Sequence, residues 1–406
     1  MRPERGWLND PNGVCRIDGR YHVFFQYNPL ATVHGDVHWG HVSSDDLITW
    51  SEEPIALRPR PGTVDAAGCW SGCVVDDGGV PTAVYTGVPT SALDAGVVLA
   101  RTDRTLRTWR QDDRHQVGLP DDPLITEVRD PFLFDFEGHR YAVQGAGSAH
   151  GLPQLLLYGC DDLTDWQPLG PLLTADDPMA ATVAQAQIWE CPNLFRSGDQ
   201  WILVFSLWRY QNGSHALSGV RYLIGDLRPR RDGGLGFVPG SSGLVDAGPT
   251  FYAPQVLVEP GRVLLWGWAW EGAERNLADV TAAGWAGVLT FPRELVVADG
   301  HLVSRPAAEL TRLRREPVSW RPGVEFPGTA FEIETSGSLR LSISEQGVDT
   351  LVVATEGPAR ILVDGSVVEM FAEGPAWTSR VYPRPTSRWR IETDAAQTEI
   401  WRLGLD

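Results

Sequence analysis

The sequence predicts an all-β protein, a five-bladed β-propeller followed by a small C-terminal β-sandwich. Three observations carry this: one hairpin unit occurs five times, a Trp-ended echo accompanies it, and short non-repeating strands follow. The five units are "NDPNGVCRIDGRYHVFFQ", "CWSGCVVDDGGVPTAVYTG", "VRDPFLFDFEGHRYAVQG", "WECPNLFRSGDQWILVFS" and "FYAPQVLVEPGRVLLWGW". Each joins a polar or aromatic motif and a short strand to a tight turn and a second apolar strand. The turns, Asp18-Gly19, Gly78-Gly79, Glu137-Gly138, Ser197-Gly198-Asp199 and Pro260-Gly261, have hairpin chemistry. The motif centres, set at Asp10, Ser71, Asp130, Glu190 and Ala253, recur about every 60 residues, a spacing near that of kelch-type repeats. Period-two alternation and glycine turns exclude helical solenoids.

The echo consists of "SSDDLITW", "TDRTLRTW" and "GCDDLTDW", ending at Trp50, Trp109 and Trp166. An outer turn closing on Trp is expected to pack each unit against its neighbour. Residues 1–303 are therefore assigned to the propeller. Residues 304–318, with Pro306 at a helix start and Leu310 and Leu313 on one face, are expected to form a connecting helix. Residues 319–406 alternate as short strands and are assigned to the sandwich.

Composition narrows the function. A net charge of −18 disfavours nucleic acid and anionic membrane surfaces. No apolar run reaches the roughly 18 residues that mark a membrane-spanning helix. Every basic residue is Arg, so lysine Schiff-base, pyridoxal-phosphate and phosphate-loop chemistry is excluded. The five cysteines are scattered and indicate neither a disulfide framework nor a zinc site. They suggest buried thiols in a reducing compartment. With no leader visible in the chain as given, a cytoplasmic location is expected, export staying open if the native start differs.

In a propeller the first strand of each blade lines the central channel, so equivalent repeat positions converge on one pocket. Three of the five centres are acids, Asp10, Asp130 and Glu190. Three acids in one funnel would raise at least one pKa, which structural turns have no reason to arrange. Acids without lysine or a Ser–His pair suit glycoside hydrolysis. Trp7, Trp39, Trp70, Trp189, Tyr252 and Trp268 are candidates for a sugar-lined pocket, although each could equally be core. Asn9, Gln26, Ser71 and Arg129 could bond hydroxyls. The histidines of "HGDVHWGH" lack an evident partner acid, so no metal or cofactor is called for.

The same residues resemble glycoside hydrolase family 32, the β-fructofuranosidases that include invertases, levanases and inulinases. The matching motifs, in family order, are "WLNDPNG", "QYNP", "HWGHVSSDDLITW", "WSG", "YTG", "RDP", "WECPNLF", "FYAPQ", "GWAGVLTFPREL" and "VEMFAEG" with "SRVYP". The resemblance implies Asp10 as nucleophile, Glu190 as general acid/base and Asp130 as transition-state stabiliser. It places His34 where many members have a Trp lining the fructose pocket, and Cys191 beside the acid as an unreactive neighbour. It implies release of terminal fructose from sucrose, fructo-oligosaccharides or fructans with retention. Alternatives are a fructosyltransferase, an inverting pentosidase on a related propeller, and a sugar-binding propeller without turnover. Chain-length preference and oligomeric state are left open.

Overall fold

A computed structural model describes residues 1–211, 214–273 and 275–405. Five antiparallel sheets succeed one another along the chain. Blade I contains Gly6–Ile17, Arg20–Asn28, His38–Ser44 and Ser51–Glu52; blade II contains Gly68–Asp77, Val80–Val88, Gly96–Thr102 and Trp109–Gln111. Blade III runs from Ile125–Phe136 through His139–Ser148 and Gln154–Gly159 to Gln167–Thr174. Blade IV contains Ile188–Ser197, Gln200–Gln211, Ser214–Pro229 and Leu235–Leu244. Blade V contains Phe251–Glu259, Arg262–Ala269, Arg293–Ala298 and His301–Pro306.

The expected turns form as hairpins. Asp18 and Gly19 hold φ of 51° and 85°, and Glu137 and Gly138 hold 51° and 85°, the left-handed pair a type I′ turn needs. The Trp echo is also a shared structure. The indole nitrogens of Trp50, Trp109 and Trp166 donate to the carbonyls of Leu47, Leu106 and Leu163 at 3.2, 3.0 and 2.8 Å. Trp50 packs on Trp266 of blade V and Trp109 on Phe24 of blade I, as expected for contacts between neighbours. Trp166 instead meets Tyr158 of its own blade.

Ring closure uses a segment the repeats do not announce. After blade V's second strand the chain returns to blade I, where Trp285–Ala286 pairs in parallel with Gly6 and Trp7. Gly287 follows at φ 76°, and a Cβ there would lie 1.8 Å from the Leu8 carbonyl oxygen. Only glycine allows so close an approach.

The connector differs from expectation. The chain from His301 to Pro306 is the outer strand of blade V, paired with Arg293–Ala298, so the propeller runs past residue 303. Pro306 ends that strand and starts no α-helix. One 3-10 segment, Ala308–Leu313, follows, and Leu310 alone in it is buried. Arg314–Pro317 is already sandwich, pairing with Thr398–Leu403. The sandwich sheets hold six and three strands, with Phe331, Ile333, Leu341, Ile361, Val363, Trp389 and Ile391 buried between them.

Propeller and sandwich are joined by a dry ionic lock. Arg293 of blade V is fully buried, 2.8 Å from Asp246 of the propeller and 2.7 Å from Glu369 of the sandwich. Arg293 Nη2 also donates to Thr378 Oγ1 at 2.5 Å, and Phe251 and Phe371 cover the guanidinium.

Candidate active site

All five inner strands carry a β-bulge at one height. The ladder skips Asp10 in blade I, Ser71 in blade II, Asp130-Pro131 in blade III, Cys191-Pro192 in blade IV and Ala253-Pro254 in blade V. Asp10, Asp130, Cys191 and Ala253 hold positive φ of 27°, 59°, 46° and 45°. Non-glycine residues rarely occupy this region, and such strain gathers where a backbone re-aims a side chain.

This register corrects the assignment of Glu190 as a repeat centre. Cys191 occupies the place of Asp10 and Asp130. Glu190 stands one residue earlier, equivalent to Asn9, Trp70, Arg129 and Tyr252. The site is thus two stacked rings, a floor of Asp10, Ser71, Asp130, Cys191 and Ala253 and an upper ring of the five preceding residues.

The floor is tightly bonded. Ser71 donates to Asp10 Oδ2 at 2.8 Å and Gln26 donates to the same oxygen at 3.1 Å. Asp10 Oδ1 accepts only from Asn9, at 3.0 Å, among the described residues. The Cys191 amide donates to Asp130 Oδ2 at 2.9 Å, and its Sγ lies 3.6 Å from that oxygen and 3.7 Å from Asp10 Oδ2. One thiol therefore touches both aspartates. Burial, then the charges of Asp130 and Asp10, push this thiol well above its ordinary pKa, so it stays protonated.

In the upper ring Glu190 accepts from Arg129 Nη1 at 3.0 Å and from the Tyr252 hydroxyl at 2.7 Å. The Arg129 guanidinium lies 5.5 Å from Trp70 and 5.3 Å from Trp208. Asn9 bonds Gln26 at 3.1 Å and takes the Trp7 indole N–H at 2.8 Å. Trp7 meets Trp268 edge-on at 5.6 Å. His34 sits further out, exposed, its ring 6.4 Å from Trp70.

The expected rise in pKa falls on the two aspartates. Burial lifts Asp10 to about 6, helped by the Glu190 charge and opposed by the Ser71 hydrogen bond. Burial and the Glu190 charge lift Asp130 to about 7, against the pull of Arg129.

Most residues predicted for the site come together here: Asp10, Asp130, Glu190, Asn9, Gln26, Ser71, Arg129, Tyr252, Trp70, Trp7 and Trp268. Trp39 and Trp189 do not; both are fully buried. The Trp39 indole donates to the Trp70 carbonyl from behind the pocket wall. His38 bonds the Asp36 carbonyl and His41 bonds His22, so the histidines of one stretch go to separate places. Two residues were missed. Glu127 binds the second Nη of Arg129, and Trp208 covers that guanidinium. The signal for Glu127 was its place two residues before Arg129 on one strand face.

A propeller that converges carboxylates and indoles at one end of its channel has the parts that glycoside hydrolysis uses. Residues 1–306 match the model of the glycosyl hydrolases family 32 N-terminal domain. The raffinose invertase of Escherichia coli is 33% identical over 363 residues, covering 86% of this chain and 72% of that protein. A sucrose-6-phosphate hydrolase of the same organism is 32% identical over 444 residues, covering 96% and 89%. The structure of a Bombyx mori β-fructofuranosidase of family 32 superposes with a TM-score of 0.82 at 27% identity, covering 99% of this chain and 92% of that one. The chain belongs to glycoside hydrolase family 32. It is a fructosyl-releasing glycoside hydrolase of the β-fructofuranosidase type.

Proposed function

We propose that Asp10 is the nucleophile, Glu190 the general acid/base and Asp130 the transition-state stabiliser in release of terminal β-fructofuranosyl units. The substrates are sucrose, fructo-oligosaccharides or fructans. The observation that carries this reading is the convergence of three carboxylates from three blades, the two aspartates meeting at the Cys191 thiol.

Glu190 gives its proton to the glycosidic oxygen as the bond from that oxygen to the anomeric carbon breaks. Asp10 forms an ester to the same carbon. Its Oδ2 is already engaged by Ser71 and Gln26, so Oδ1 is the freer oxygen for attack. Water then adds to that carbon, gives a proton to Glu190 and releases Asp10, with net retention. Asp130 Oδ1 accepts no bond among the described residues and is free for sugar hydroxyls. An aspartate that burial makes costly to ionise gains most when positive charge develops beside it.

A cytoplasmic location belongs to the same proposal, and the five free thiols fit a reducing compartment. The test is a panel of sucrose, kestose, levanbiose, inulin and levan scored for fructose. Wild type is expected to release fructose where Asp10→Ala and Glu190→Ala do not. Oligosaccharide growth as the main product in concentrated sucrose would make the chain a transferase instead. Full hydrolysis by either variant would remove the assigned roles.

A further inference from the structure

The mouth above the acid is itself acidic. Glu127 lies two residues before Arg129 on the inner strand of blade III, one layer nearer the opening. Arg129 gives one Nη to Glu127 and the other to Glu190. Trp70 and Trp208 flank its guanidinium. The opposing strand makes room for this carboxylate with Gly147, where a Cβ would lie 2.9 Å from Glu127 Cγ and Oε1. The side chains of Arg129 and Glu127 are only 9% and 17% exposed, so this is a built pair and not a surface ion pair.

The other basic side chains nearby make separate contacts. His34, although its side chain reaches solvent, has its pKa lowered, first by partial desolvation and then by the Arg129 charge. Arg209, next to Trp208, gives its Nε to the Gln185 carbonyl, and Arg221 gives its Nε to the Val183 carbonyl. Four carboxylates, Asp10, Asp130, Glu190 and Glu127, thus gather in one funnel, and the guanidinium there has both Nη atoms engaged, by Glu127 and Glu190.

Resting on the hydrolase reading above, the leaving group departs outward past Glu190 and meets Arg129 and Glu127. We infer that this site takes fructosides with an uncharged leaving group, and that Glu127 is a specificity-determining residue that rejects a phosphorylated one. A phosphate dianion beside this pair would meet an Arg129 already neutralised and a Glu127 that repels it. A neutral hexose loses nothing by this and can donate hydroxyls to the Glu127 carboxylate. The substrate of the sucrose-6-phosphate hydrolase relative therefore does not transfer to this chain.

The test compares kcat/KM for sucrose and for sucrose carrying a 6-phosphate on its glucose, measured on one preparation. Sucrose is expected to be favoured by about tenfold or more. Glu127→Gln should narrow this preference at low salt, and because both substrates see the same sample, partial misfolding cancels from the ratio. Equal or better hydrolysis of the phosphorylated sugar would overturn the inference, as would a ratio unmoved in Glu127→Gln. Fructose released from neither substrate would instead overturn the hydrolase reading, and this inference with it.

Discussion

Two clusters in this molecule set buried acids around one guanidinium, and they are built to opposite ends. At the domain junction Arg293 serves Asp246 and Glu369, and nearly every oxygen is capped. Asp246 Oδ1 takes the amides of Gly248 and Thr378, its Oδ2 takes Thr378 Oγ1, and Glu369 Oε1 takes the Phe291 amide. In the channel Arg129 faces Glu127 and Glu190 while Asp10 and Asp130 sit on strained bulges, Asp10 Oδ1 with one bond and Asp130 Oδ1 with none among the described residues. The first cluster is satisfied and fixes two domains. The second keeps charge under-compensated, which favours a fold less and a reaction more.

The largest effect should come from removing the reacting groups. Asp10→Ala and Glu190→Ala are expected to lower kcat on sucrose by about a thousandfold or more without lowering Tm. A comparable loss of Tm would mean that the channel acids also hold the fold.

The lock should respond the other way. Arg293→Met leaves two buried carboxylates unpaired and should cost about 3–5 kcal/mol of unfolding free energy, read by urea denaturation. The pH profile of the residual activity should not move.

A smaller effect of opposite sign is expected from neutralising the channel aspartates. The Asp10 pKa is raised from 3.8 to about 6, so its stability contribution is complete at low pH and is lost as pH rises through that range. Asp10→Asn removes a cost on the order of 3 kcal/mol at neutral pH, less whatever its hydrogen bonds lose. Thermal melts should show Tm raised for Asp10→Asn and lowered for Asp246→Asn. The same titration sets an acid limb in kcat/KM near pH 6, where Asp10 loses the charge it needs for attack.

The smallest effect concerns blade I. His22 is lowered to about 4, chiefly by burial, and bonds His41 at 2.9 Å. Its contribution is complete above its unfolded value of 6.5 and is lost as pH falls through about 4. Replacing His22 by Gln should flatten the acid side of the stability curve and leave the alkaline side alone.

How much of this the sequence disclosed follows from how local each feature is. The hairpins, their left-handed turns and the Trp-closed outer turns depend on neighbouring residues, and all were legible. Asp10 and Asp130 were legible because each precedes a proline at the same place in its repeat. Glu190 was found, but one step out of register. Aligning acid with acid hid the proline that follows the bulge in four blades, Pro11, Pro131, Pro192 and Pro254. The parallel closure of Trp285–Ala286 on Gly6 and Trp7 joins residues at opposite ends of the propeller and leaves no local trace. The strand Arg314–Pro317 was read as helix because its partner, Thr398–Leu403, is equally remote. Arg293 and Glu369 lie within motifs that carried the family resemblance, yet their ion pair exists only once the domains dock.

The central claim is that Asp10 and Glu190 carry out a double displacement from facing rings of one channel. Hydrolysis of sucrose in aqueous methanol tests it most directly, because the methyl fructoside formed does not mutarotate. NMR of that product should show methyl β-D-fructofuranoside, formed by wild type and absent with Asp10→Ala. The α-anomer, or hydrolysis with no methyl transfer at any methanol concentration together with an active Asp10→Ala, would contradict it.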